Sequence, residues 1–229
     1  MLATLRRGLV LGAAGMGLLL PLATAAFADS ISFNLTAPDA AIASYPGPYA
    51  NVTISVPNGG GNATVTWTAD PGFLLGGAGA FDLNTVAGAT IVGGTGGIAL
   101  TDLPGFSSTV TSLGSGTVDG DGIFDLTQKF FDGYTGAASG GSFVLAPSSG
   151  TFADASSVLA PDSSGFLAAG HVFVCDANPC SATGSATATG YAGNGALLDS
   201  APEPGSLLLA GSGLAGLLPL VLRRRRTAA

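Results

Sequence analysis

Val52-Thr53-Ile54-Ser55-Val56, Pro57-Asn58-Gly59-Gly60-Gly61-Asn62 and Ala63-Thr64-Val65-Thr66-Trp67-Thr68 follow one another and decide the fold class of this chain. In the first and third segments every second residue is apolar and the residues between them are hydroxyls. That period-2 pattern is what a half-buried antiparallel strand requires. The glycine- and asparagine-rich link tolerates positive φ and predicts a hairpin loop. Ile31-Ser32-Phe33-Asn34-Leu35 alternates in the same way. Further strands are expected at residues 88–92, 107–113, 122–131, 141–146 and 166–175, with a last one inside 182–191. No long stretch of the body carries a helical period. Roughly eight to ten short strands separated by glycine-rich turns predict an all-β body, an antiparallel β-sandwich or jelly roll. A β-solenoid is the alternative, although no repeat of fixed period is visible.

Both ends of the 229-residue chain differ from this body. Arg6 and Arg7 precede an apolar run over residues 8–22, and Ala26-Phe27-Ala28 supplies small residues before Asp29. This order predicts a secretory signal peptide, residues 1–28, cut by signal peptidase between Ala28 and Asp29. At the other end stand Pro202, Glu203 and Pro204, then an uncharged apolar stretch over residues 205–222, then Arg223, Arg224, Arg225 and Arg226. Eighteen residues span roughly 27 Å as a helix, about the thickness of a bilayer's hydrocarbon core. A transmembrane helix is therefore expected at 205–222. The arginines after it act as a stop, and the positive-inside rule puts the body on the far side of the inner membrane.

Residues 201–229 closely resemble the PEP-CTERM sorting signal of Gram-negative bacteria. Its three elements, a Pro-Glu-Pro, a hydrophobic helix and a basic cluster, stand here in the right order. Glu203 is the only glutamate in the chain. The resemblance implies recognition by an exosortase, a membrane-embedded cysteine protease that cuts near the Pro-Glu-Pro and releases or transfers the body. It also implies a transient hold in the inner membrane, then a destination at the cell surface or outside it, in association with extracellular polysaccharide in biofilm- or floc-forming bacteria.

Setting the two ends aside changes the electrostatics. Six of the seven basic residues belong to the targeting segments, which leaves Lys129 alone against thirteen aspartates in the exported body, residues 29–200. The body's formal charge is −12, against −7 for the whole chain. Nucleic-acid binding is excluded, because nothing is present to neutralise phosphates. Such a surface also repels anionic polymers unless divalent cations bridge them.

The body's chemistry is sparse, and no catalytic residue stands out. His171 is the only histidine, set mid-strand in Gly170-His171-Val172-Phe173-Val174, where it reads as a strand residue rather than as the base of a Ser-His-Asp triad. Gly93-Gly94-Thr95-Gly96-Gly97 lacks the lysine of a phosphate-binding loop. Cys175 and Cys180 in an exported chain predict a local disulfide clamping a four-residue hairpin loop, worth about 2 kcal/mol. The alternative is a metal site of His171, Cys175 and Cys180, which would want a fourth ligand. Asp119-Gly120-Asp121-Gly122-Ile123-Phe124-Asp125 sets alternate aspartates on a glycine turn, so Asp119, Asp121 and Asp125 are candidate Ca²⁺ ligands. A plain Asp-Gly hairpin turn is the competing reading. Together these features predict a non-catalytic surface or matrix protein, structural or adhesive. A secreted carbohydrate-binding module is the alternative, with Trp67, Tyr134 and Tyr191 as the aromatics on which it depends. An Asp-dependent hydrolase is the third.

Overall fold

The computed structural model describes residues 29–118 and 121–194. Among them are twelve strands: β1 (Asp29–Pro38), β2 (Ala50–Val56), β3 (Ala63–Ala69), β4 (Phe73–Leu75), β5 (Phe81–Leu83), β6 (Thr90–Ile91), β7 (Ala99–Thr101), β8 (Val110–Val118), β9 (Gly122–Phe130), β10 (Gly140–Ala146), β11 (Ala168–Cys175) and β12 (Ala186–Asn194). The all-β, antiparallel expectation holds. Among the described residues no helix is long and apolar enough to cross a membrane. The helix expected at 205–222 and the signal peptide at 1–28 lie outside the described residues.

The opening hairpin forms as its pattern dictates. Val52 faces Trp67 and Ile54 faces Val65, while Thr53 faces Thr66 and Ser55 faces Thr64. Apolar side chains therefore meet on one face and hydroxyls on the other. The core face of β2 and β3 is fully buried, and Thr64, Thr66 and Thr68 are exposed. In the loop, Gly60 has φ of 87° and approaches the Phe152 carbonyl so closely that a Cβ would lie 2.8 Å from it. Only glycine meets both demands.

The strands form one hydrogen-bonded path, β6-β10-β3-β2-β1-β12-β11-β5-β9-β8, with β4 joined to β11 and β7 to β10. This differs from the two separate sheets of a sandwich. It also excludes a solenoid, since all the recorded pairings are antiparallel and chain neighbours are often far apart in the sheet. The sheet curls so that its two ends share one core. Trp67 on β3 stacks on Phe81 of β5 at 5.8 Å and lies 6.3 Å from Phe130 of β9. Phe81 in turn meets Phe143 of β10 edge-on at 6.1 Å. Gly141, directly opposite Trp67, leaves the space the indole occupies, for a Cβ there would fall 2.8 Å from the ring. A single apolar core thus spans strands from both ends of the path. A smaller cluster, Val118, Phe124 and Ala169 with Phe166 and Tyr191 packed on it, involves β8, β9, β11 and β12.

Candidate functional site

The least ordinary chemistry of the body lies beside this second cluster. β5 is three residues long, with Phe81 and Leu83 in the main core. Alternation along a strand sends Asp82 to the opposite face, yet Asp82 is fully buried there. It pairs with Thr127 on β9 and with Ala169 on β11, and Ala169 pairs with Gly193 on β12. Small residues make the space. A Cβ at Gly79 would lie 3.1 Å from Asp82 Oδ2, and one at Gly193 would lie 3.0 Å from the Asp121 carboxyl carbon. Asp121 is itself buried. Neither carboxylate oxygen of Asp82 makes a hydrogen bond of good geometry; the buried Thr127 hydroxyl alongside is the donor that acts on it.

This setting governs the proton on Asp82. Burial pushes its pKa up to about 7. The Thr127 hydroxyl alongside draws it down, the Asp121 charge pushes it up, and Lys129 draws it down. Desolvation dominates because a carboxylate removed from water loses far more solvation than one distant ammonium restores.

Of the aspartates singled out in the sequence, Asp121 and Asp125 lie against different neighbours. Asp119 lies outside the described residues. Asp125 turns to β5's flank, where its two oxygens accept from the Thr85 N–H at 3.0 Å and the Thr85 hydroxyl at 2.9 Å. Asp121 points instead toward Gly193. Within the expected calcium loop, Asp125 is thus a structural tie to Thr85. Among the described residues no three His, Cys, Asp or Glu side chains group as a metal site. The turn itself closes as a hairpin, the Asp121 N–H donating to the Val118 carbonyl at 3.2 Å.

Cys175 and Cys180 form the expected disulfide, with Cα atoms 5.4 Å apart, which removes the His171–cysteine metal site. Its setting differs from expectation. Cys175 ends β11 and faces Ala186, so Cys180 lies within the link to β12 rather than opening that strand. The link is tied a second time, since the Asp176 carboxylate accepts from the Ser185 N–H and hydroxyl. His171 Nδ1 bonds the Gly76 carbonyl at 2.8 Å, and its ring lies between Phe173 and Tyr191. It is a satisfied strand histidine.

Of the three aromatics, Trp67 is fully buried. Tyr134 packs edge-on against Phe106 and Phe173, and Tyr191 donates its hydroxyl to the Ala78 carbonyl. The stacked ring pair is Trp67 with Phe81, both inside the core. Two open grooves flank β8. One of about 410 Å³ carries Asp102 as its only acid, and one of about 260 Å³ carries only Asp125, already held by Thr85. Neither offers the two facing carboxylates of a glycosidase.

Asp29 opens β1, facing Val56, and its carboxylate accepts from the Ala155 N–H at 2.7 Å. Ala26, Ala28, Pro202, Glu203, Pro204 and Arg223 to Arg226 lie outside the described residues. Asp82 escaped notice in the sequence because a three-residue strand shows no period; its one signal is an aspartate between two core residues, Phe81-Asp82-Leu83.

Fold and site together define a closed-cored all-β body whose strongest chemistry is internal. Its address is carried elsewhere: residues 200–226 match the PEP-CTERM protein-sorting motif, the resemblance read from the sequence. The motif implies an exported protein, processed by exosortase in membrane-linked sorting toward the cell surface. No curated protein and no solved structure matches the chain.

Proposed function

We propose that this is a non-catalytic surface or matrix protein of a Gram-negative bacterium. A signal peptide cut after Ala28 exports it, and a helix over residues 205–222 holds it in the inner membrane. Exosortase then acts near Pro202-Glu203-Pro204, and the body serves a structural or adhesive role with extracellular polysaccharide. The sorting motif at residues 200–226 carries this reading.

Three features support a role without catalysis. Burial holds the pKa of the Asp82 carboxyl near neutrality, and no substrate reaches a fully buried side chain. The only histidine is engaged through Nδ1. Each groove holds a single carboxylate. Burial of Trp67 takes away the best stacking platform a carbohydrate-binding module would have had. With a formal charge of −12, the body suits a neutral polysaccharide better than an anionic one.

Replacing Pro202, Glu203 and Pro204 by alanine tests the pathway. The altered chain should stay in the inner-membrane fraction while the native chain reaches the surface. Equal surface levels of both would sink the proposal. Deleting the gene should reduce cell aggregation, and purified protein should release no reducing sugar from the host's polysaccharide.

A further inference from the structure

We propose that Asp82 and Asp121, with the Thr127 hydroxyl, bind a hard divalent cation of the Ca²⁺ class inside the body. Several independent observations converge on this spot. Both carboxyls are buried, and the charge of Asp121 acts on Asp82. Neither oxygen of Asp82 makes a hydrogen bond of good geometry, and the Thr127 hydroxyl is the donor beside them. Thr127, which is 2% exposed, is the cross-strand partner of Asp82 on the same face, and its hydroxyl lies beside the Asp82 carboxyl. The backbone is cleared around the carboxyls by Gly79 and Gly193. Lys129 is the one lysine in the body, and it is exposed two residues along β9 from Thr127, a single positive charge against two negative ones.

A buried carboxylate is costly unless it is paired or coordinates a metal. The donors here are oxygens only, which select Ca²⁺ or Mg²⁺ over zinc or copper. Ca²⁺ is the better fit, because it tolerates irregular geometry and bidentate carboxylates where Mg²⁺ demands a strict octahedron. An exported body also works where Ca²⁺ sites of 10⁻⁴–10⁻³ M affinity are commonly used, as in extracellular modules. This site is distinct from the glycine-turn loop, since Asp125 is held by Thr85 and takes no part.

The competing occupant of two buried, electrostatically coupled carboxyls is a proton, and a −12 body also collects cations loosely at its surface. Thermal unfolding of the full-length chain in detergent, followed by the fluorescence of its single tryptophan, separates the three. Relative to EDTA, 5 mM CaCl₂ at pH 7.5 should raise Tm by about 5 °C or more. Asp82→Asn should abolish that shift, with a Tm in EDTA no lower than that of the native chain. Asp125→Asn should keep the shift. No shift in the native chain means the pair holds a proton and overturns the proposal. An equal shift in Asp82→Asn means surface binding and overturns it too. Should Asp82→Asn fail to fold, Asp121→Asn and Thr127→Val carry the same test.

Discussion

A carboxyl group cut off from water holds its proton more tightly than one at the surface, and Asp82 places such a group between two strands of a curled sheet. Its pKa near 7 lies above the 3.8 of an unperturbed aspartate, so the folded state takes up a proton that the unfolded chain releases. Stability from this group is fully present below about pH 4 and is lost as pH rises toward 7, by an amount on the order of 4 kcal/mol. In chelator, Asp82→Asn should remove this slope and raise Tm at pH 8; an unchanged slope would mean that other groups carry the acid dependence. Gly141 gives a second residue-scale test. Its missing Cβ leaves room for Trp67, so Gly141→Ala should cost about 1–3 kcal/mol by overpacking. Gly114, with open space where a Cβ would stand, is the control: Gly114→Ala should be neutral or slightly stabilising in the same urea titration.

Most strands long enough to show a period were legible in the sequence, although β8 runs past the expected 107–113, and the short β6 falls inside the expected 88–92. β1, β2, β3, β9, β10 and β11 fall where alternation or glycine boundaries placed them. β4, β5 and β7 have three residues each, too few for a period, and their pairing depends on the strands around them. Asp82 was illegible for the same reason. The disulfide was readable from two cysteines in an exported chain, but its place was not. The extent of β12 depends on pairing with β11, and that pairing leaves Cys180 in the link. Because this bridge closes so small a loop, replacing Cys175 and Cys180 together by alanine should cost about 2 kcal/mol, or a Tm drop of about 4–8 °C. A drop under about 1 °C would show that the Asp176–Ser185 tie holds the link alone.

At the scale of the whole molecule, the curl could not be read from strand patterns. Alternation says that each strand has one buried face, and it is silent on whether those faces meet across two sheets or within one. The contacts of Trp67 with Phe81 and Phe130 decide for one sheet folded over its own core. That closure leaves an acidic body in which Lys129 is the one lysine. The sorting motif at residues 200–226 then gives the destination. Mass spectrometry of the surface-exposed form from an exosortase-positive cell tests this account most directly. The expected mass begins at Asp29 and ends near Pro202-Glu203-Pro204, without residues 205–229. A surface form that retains Arg223 to Arg226 would contradict it.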